Sequence, residues 1–378
     1  MEKTRLLFVI ESLGQGGAER ALLNLVPYLI KYGYQVRIVP LIPTGNMRSE
    51  FEDMGAEVIN LGFGHKWNLL KNIMLLKGLV RSHKPEVIHA HLFFAGLYVG
   101  ALKYLGIKQP KLITFHNLAY APGCNPRNPG FYLRKLLNRH VVKHCMDGRI
   151  AVSSAVAEHY AQNLGLTLDH FDVIPNGLPI PVANTDLMVD KPDGKIKIVA
   201  LGRRVPEKGY DYLLRAFAQL CERQPERFQL QVIGGGPLNS ELLVQASDLG
   251  IDVSFLGSMA YADAQTALSG GDIYVTASVF EGFGLSVAEA MLAGIPVVAT
   301  DVGGIRDIVR ASFSEIVSPR NPDALADAVL RVAELPEVER NRRVKEAREF
   351  VEQNFSVDSV ATRLADLYQR QLKLKEIL

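Results

Sequence analysis

Cysteine is scarce in this 378-residue sequence, which holds only Cys124, Cys145 and Cys221. Three scattered thiols exclude a disulfide framework and a CxxC metal knuckle, and a reducing cytoplasm is the expected setting. Long apolar runs are also missing. The longest, Leu92 to Leu102, is about half of what spans a bilayer, so no transmembrane helix is expected. The opening MEKTRLLFVIES is too short and too charged for a signal peptide. Net charge is almost absent: 42 basic and 40 acidic residues leave +2, which favours no particular partner. There is no short repeat and no low-complexity tract. With 48% hydrophobic and 22% charged residues, a disordered or collagen-like chain is excluded. The length suits two domains.

The charge is distributed unevenly. Residues 1–185 hold 20 Lys and Arg against 12 Asp and Glu, whereas residues 186–378 hold 22 against 28. Between Val58 and Met146 the only acid is Glu86, among thirteen basic residues. The first half should therefore attract something anionic.

Short apolar runs alternate with stretches of helical period. The first half predicts strands at Leu6–Ile10, Gln35–Leu41, Glu57–Leu61, Val87–Ala90, Lys111–Phe115, Gly148–Val152 and Phe171–Ile174. The second predicts Lys197–Leu201, Phe228–Ile233, Val253–Leu256, Asp272–Thr276, Pro296–Ala299 and Glu315–Val317. Ala21, Leu22, Leu25 and Leu29 mark one face of a helix over Ala18–Tyr32. Strand–helix alternation implies an α/β fold with parallel sheets. The rhythm breaks over Pro175–Lys195, which carries four prolines. This predicts a domain over 1–180, a linker over 181–195, a second domain over 196–355 and a last helix over 356–378.

The predicted strands end in conspicuous residues: Gly14–Gly17, His91, His116, Gly202–Arg203, Gly234–Gly236, Gly257, Glu281–Gly284 and Gly303–Gly304. Each glycine alone reads as an ordinary turn. Together, at the carboxyl ends of parallel strands, they read as the lining of an interdomain cleft between two facing sheets.

Three motifs carry the chemistry. Gly16 and Gly17 open a helix after the first strand, where backbone can approach an anion. Arg203 and Lys208 follow the first strand of the second half, and a planar fork beside a point charge suits a pyrophosphate. The sharpest is Phe280-Glu-Gly-Phe-Gly-Leu-Ser-Val-Ala-Glu-Ala290. Glu281 lies in a glycine-rich loop and Glu289 sits about two turns into the next helix. Paired carboxylates suit a hydroxyl-rich ligand. An idle charge at Glu289, among Val287, Ala288, Ala290 and Met291, would be costly.

With these residues the sequence resembles the retaining nucleotide-sugar glycosyltransferases of family four, which have the GT-B fold of two Rossmann-like domains. The resemblance runs through Gly16-Gly-Ala-Glu-Arg20, His89-Ala-His91, Thr114-Phe-His116, Ala151-Val-Ser-Ser154 and Val173-Ile-Pro-Asn-Gly177. It continues through Gly202-Arg203, Glu207-Lys-Gly209, Val253-Ser-Phe-Leu-Gly257, the spaced Glu281 and Glu289, and Gly294-Ile-Pro-Val-Val-Ala. It implies that Gly16 and Gly17 approach the donor phosphates and that Arg203 and Lys208 neutralise the leaving pyrophosphate. It implies that Glu289 holds the ribose, and that Glu281 with the backbone of Phe283, Gly284, Leu285 and Ser286 holds the sugar. His116 would face that sugar, and the loop at Gly257 would border the base. The donor would be a UDP- or GDP-linked hexose, with no cofactor and no metal. The acceptor would be a glycan or a lipid-linked hydroxyl, as in polysaccharide biosynthesis. Two departures stand out: Leu178-Pro179 replace an expected Asp, and Arg204 replaces an apolar residue.

Other readings stay open. A sugar-nucleotide epimerase or a non-catalytic sugar-nucleotide-binding protein could use the same fold. His140 and His144 have metal-ligand spacing, but HVVKH lacks the Glu of HExxH. The basic stretches His65–Lys84 and Tyr132–His144 read either as solvated helices or as a peripheral attachment to the anionic inner face of a membrane. No nucleic-acid recognition motif accompanies them, so no nucleic acid is expected as partner.

Overall fold

A computed structural model describes residues 3–14, 16–42, 45–63, 68–122, 128–180 and 194–377. Most of the linker, Cys124 and His65 to Trp67 lie outside the described residues. The chain divides into two compact units, Met1–Pro179 with Phe355–Leu378, and Ile180–Asn354.

The first unit is built on seven strands: β1 (Thr4–Ile10), β2 (Tyr34–Pro40), β3 (Glu57–Val58), β4 (Val87–His91), β5 (Lys111–Phe115), β6 (Gly148–Ala151) and β7 (Asp172–Val173). They pair in parallel in the order β3-β2-β1-β4-β5-β6-β7. Central parallel strands are covered on both faces, which is why they read as unbroken apolar runs. Leu6 to Ile10 are at most 1% exposed. The helix Gly17–Lys31 seats Leu22, Val26 and Leu29 on this sheet.

The terminal helix Val357–Ile377 packs on the helix Gly17–Lys31. Val360, Leu364, Leu367 and Tyr368 join the same core. Its entry is held by two backbone bonds, Leu178 N–H to the Phe355 carbonyl and Val357 N–H to the Leu178 carbonyl, both 2.9 Å. A Cβ on Gly177 would lie 2.7 Å from Val357 Cα, so only glycine lets the chain pass there.

The second unit holds β8 (Ile196–Leu201), β9 (Phe228–Ile233), β10 (Val253–Gly257), β11 (Ile273–Thr276), β12 (Val297–Thr300) and β13 (Ser314–Val317). Their order is β10-β9-β8-β11-β12-β13, again parallel. In each sheet the chain leaves the first strand in one direction and later returns to its other side. The strand order thus reverses beside β1 and β4, and beside β8 and β11. Such switch points open a crevice at the carboxyl ends of the strands. No helix among the described residues is long and apolar enough to cross a membrane.

Candidate active site

At the switch point of the second unit, β8 runs into Gly202, Arg203 and Arg204 and then a tight turn, Pro206–Lys208. Gly209 follows with φ +62°, and a Cβ there would meet the Ala277 carbonyl at 2.1 Å. The turn is stitched to the loop after β11, because Val279 N–H donates to the Glu207 carbonyl at 2.8 Å. This stitch brings Lys208 to Glu281, Nζ to Oε2 at 2.6 Å, with the side chains 22% and 17% exposed. Ser278 Oγ donates to the same carboxylate oxygen at 3.3 Å. Behind it, Thr300 Oγ1 donates to the Ser278 carbonyl at 2.7 Å.

The Glu281 loop rests on Gly303 and Gly304. Gly304 N–H donates to the Glu281 carbonyl at 3.0 Å. A Cβ on Gly303, at φ +45°, would fall 2.0 Å from that carbonyl oxygen. The sequence places both glycines at a strand exit, and their support of the carboxylate loop emerges only in the fold.

Gly284 (φ +108°) starts the helix Leu285–Leu292. Phe283 beside it is buried. Ser286 Oγ accepts from the buried Tyr274 hydroxyl at 2.8 Å, and Glu289 Oε1 accepts from the Tyr261 hydroxyl at 3.1 Å. Gly257, at the end of β10, accepts from Gly234 N–H through its carbonyl at 2.9 Å. Lys208, Glu281, Gly284, Leu285 and Ser286 thus share the carboxyl end of β8 and β11, with Glu289 two turns along the helix. Tyr261 and Ser278, which partner the two glutamates, were not singled out from the sequence. Nothing in the sequence marks them.

Arg203 and Arg204 behave differently. Arg203 is exposed at the strand exit. Arg204 turns inward and is 3% exposed. Its Nη1 donates to Asn239 Oδ1 at 3.0 Å and its Cζ lies 4.7 Å from the Phe255 ring centre. Nε and Nη2 are buried without a partner. Burial pulls the guanidinium below the usual arginine range.

Gly16, Gly17 and His116 belong to the first unit. Gly16 precedes the helix Gly17–Lys31 in extended backbone. Glu19 folds back over it, and its Oε2 lies 2.3 Å from where a Gly16 Cβ would stand. Ser12 Oγ donates to that carboxylate at 3.1 Å. An acid therefore already borders the turn that the sequence reading offered to phosphates.

His116 ends a ladder of three imidazoles at the exits of β4 and β5. His91 Nδ1 lies 2.9 Å from His116 Nε2, and the two rings stack with centres 5.1 Å apart. His89, one turn of the pleat below, is bonded on both sides: Nδ1 to the Tyr368 hydroxyl and Nε2 to Thr114 Oγ1, each 2.7 Å. Burial holds the imidazoles neutral, lowering His89 to about 3, His116 to about 4 and His91 well below its ordinary value. A cavity of about 20 Å³ touches all three rings and Asn176. That is room for about one water. His140 and His144 gain no third ligand, since no metal-capable group of three occurs among the described residues.

Known proteins are similar to this chain in sequence and in fold. The family described as "Glycosyltransferase Family 4" matches residues 15–180, and "Glycosyl transferases group 1" matches residues 188–350. An uncharacterized glycosyltransferase of Methanocaldococcus jannaschii is 26% identical over 314 residues, covering 79% of this chain and 78% of that protein. The GPI3 subunit of the phosphatidylinositol N-acetylglucosaminyltransferase of Saccharomyces cerevisiae is 25% identical over 335 residues, covering 81% and 71%. Among solved structures, Anabaena Alr3699/HepE in complex with UDP and glucose superposes with a TM-score of 0.80 at 21% identity, covering 97% of this chain and 100% of that one. With both halves matched in order along nearly its whole length, the chain belongs to the group 1, family-four type of glycosyltransferases and has their GT-B fold.

Proposed function

We propose that this glycosyltransferase moves a hexosyl unit from a nucleoside-diphosphate sugar to a hydroxyl of a lipid-linked acceptor, with retention and without a metal. The observation that carries the reading is the half-buried Lys208–Glu281 pair at the β8/β11 switch point. A diphosphate arriving there competes for Lys208 and takes up its positive charge. Glu281, relieved of its cation, then accepts hydrogen bonds from sugar hydroxyls. The helix Leu285–Leu292 turns its amino-terminal N–H groups to the same place, where developing negative charge is stabilised without reorganisation. Arg203 adds an exposed cation, Glu289 binds the ribose, and Phe283 to Ser286 frame the sugar.

The acceptor reading rests on the first unit. The helices Leu69–His83 and Pro129–His144 both pack on the helix Leu92–Ala101. They expose Leu70 (84%), Met74 (53%), Leu133 (58%) and Leu136 (63%) among Lys71, Arg81, Arg139 and Lys143. Apolar side chains ringed by cations suit an anionic lipid surface. The yeast relative's name, a phosphatidylinositol N-acetylglucosaminyltransferase, agrees with a lipid acceptor.

Thermal unfolding in the presence of UDP- and GDP-linked hexoses tests the donor, because a ligand bound to the folded state raises the midpoint. Transfer to lipid-linked acceptors, with chelator present and the product's anomeric configuration read by NMR, tests the rest. Release of free epimerised nucleotide sugar would establish the epimerase instead. Binding without turnover on any acceptor would establish the non-catalytic protein.

A further inference from the structure

The crevice of the second unit is short of positive charge. Lys208 and Glu281 cancel each other across 2.6 Å, and Glu289 adds a further carboxylate on the helix Leu285–Leu292. The chain from residue 186 onward is itself acidic, with 22 Lys and Arg against 28 Asp and Glu. An anion is repelled by such a surplus, so a diphosphate needs a cation there beyond Lys208. Arg203 is one, but it is exposed, and water and salt screen it.

Arg204 is the other. It is 3% exposed, so its charge stands away from water. Its one side-chain hydrogen bond, Nη1 to Asn239 Oδ1 at 3.0 Å, goes to a neutral amide. Nε and Nη2 are buried without a partner, so no carboxylate among the described residues bonds to it. The face of Phe255, 4.7 Å from Cζ, offsets part of that loss. Burial pulls the guanidinium down, yet an arginine keeps its proton in a folded protein. An apolar side chain would be more stable in this place. Departures of this kind collect at functional sites.

The backbone fixes where the charge stands. Arg204 is the third residue past β8. Its N–H donates to the Gly235 carbonyl at 2.8 Å, and its own carbonyl accepts from Leu238 N–H at 3.2 Å. Two residues earlier, Gly202 borders the Lys208 side chain, whose Cε lies 3.3 Å from where a Gly202 Cβ would stand. The Gly202 carbonyl accepts from the buried Tyr210 hydroxyl at 3.0 Å. Burial raises that hydroxyl above its ordinary range, the Arg204 charge opposes the rise and the Glu281 charge adds to it. Both charges therefore act on one phenol. The guanidinium lies within electrostatic reach of the Lys208–Glu281 pair, although its unpartnered nitrogens are closed off from any ligand.

We propose that Arg204 is a buried counter-charge for the donor's diphosphate, strengthening anion binding at the β8/β11 crevice through its field and without touching the ligand. This rests on the nucleotide-sugar reading above for its ligand, and on the Arg204 environment for its charge. A fixed cation in a low-dielectric wall is little screened and raises the pull of the crevice on anions. The bound diphosphate supplies the negative partner that the fold withholds.

Two variants of the full chain remove the charge in different ways. Arg204→Met deletes it at similar length. Asn239→Asp keeps Arg204 and offers Nη1 a carboxylate in place of an amide. Ligand-observed NMR titration, which reads weak binding, compares the nucleoside, monophosphate and diphosphate of uridine and of guanosine. In both variants the diphosphate Kd should rise about tenfold and the nucleoside Kd should hold, the effect of one unit charge about 10 Å away at the dielectric of a protein surface. Asn239→Asp should also unfold at an equal or higher temperature, because a buried cation gains its partner. An unchanged diphosphate Kd in either variant overturns the proposal. Equal losses for nucleoside and diphosphate overturn it too, since Arg204 would then only shape the pocket. A lower unfolding midpoint for Asn239→Asp overturns the premise that the cation lacks a partner. A parent chain that binds neither nucleotide series refutes the donor reading. Inorganic pyrophosphate titrated against the same three proteins then decides the charge effect by the same tenfold criterion, and no pyrophosphate binding at all overturns it.

Discussion

All nine histidines lie between His65 and His170, and none falls within Ile180–Asn354. The first unit should therefore lose stability in mild acid while the second does not. His89 is lowered to about 3 and His116 to about 4, with burial as the main cause, and His91 is lowered well below its ordinary value. In the unfolded chain each would titrate near 6.5. Between those values the unfolded state binds more protons, so stability falls as pH drops. From pH 7 to pH 5 each histidine that stays neutral in the folded unit costs about 2 kcal/mol, and the three together about 6 kcal/mol. A fall of that size is comparable to the whole stability of many domains. Hydrogen exchange followed by mass spectrometry measures it locally, through protection factors of peptides covering β4 and β5 against those covering β9 and β11. The expected result is a steep loss of protection in the first pair and a flat profile in the second. His89→Gln keeps a donor and an acceptor for Tyr368 and Thr114 but cannot titrate, so it should lessen the fall by about 2 kcal/mol. Parallel profiles in the two units, or an unchanged slope in the variant, would refute the reasoning.

Three more outcomes test the site and its surroundings. Lys208→Ala and Glu289→Ala should each weaken nucleotide-sugar binding or turnover by roughly tenfold or more, about one charge-assisted hydrogen bond, with circular dichroism unchanged. Near-parental rates in both would remove the donor-site assignment. Arg204→Leu replaces a buried guanidinium that has two unpartnered nitrogens with an apolar side chain, and should leave the unfolding midpoint equal or higher. A drop of about 2 kcal/mol or more would mean that Arg204 is better satisfied than its single bond to Asn239 implies. Co-sedimentation with anionic vesicles should occur and decline with salt, and Leu133→Ser with Leu136→Ser should reduce it. Equal binding to neutral vesicles, or none to either kind, would count against the lipid surface.

The thirteen apolar runs of the sequence became thirteen strands among the described residues because parallel strands are covered on both faces and need no polar alternation. The errors fall where that cover ends. β3 and β7, predicted as Glu57–Leu61 and Phe171–Ile174, shrink to two residues each, Glu57–Val58 and Asp172–Val173. Both are edge strands with one neighbour. Local composition does not say how far a lone neighbour extends. The site was legible in the same limited way. Lys208, Glu281 and Glu289 stood out by type and by their place after strands. Their pairings did not, because each closes a long loop: Lys208 meets Glu281 across 73 positions and His91 meets His116 across 25.

Arg204 shows the limit most clearly, for it follows Arg203 directly and stood out only as an arginine where an apolar residue was expected. Only the packing of Gly236 against the Arg204 backbone, with Cβ room of 2.5 Å to its carbonyl oxygen, and the reach of Asn239 separate an inward guanidinium from an outward one. The same holds for Gly177, whose missing side chain serves Val357, a residue 180 positions later. Residue type at a strand exit thus identifies which groups can do chemistry. Which of them are free to do it depends on contacts between segments far apart in the chain. The Lys208–Glu281 pair is where these meet: its members are recognisable one by one, yet they face each other across two loops that the Val279 N–H bond to the Glu207 carbonyl joins.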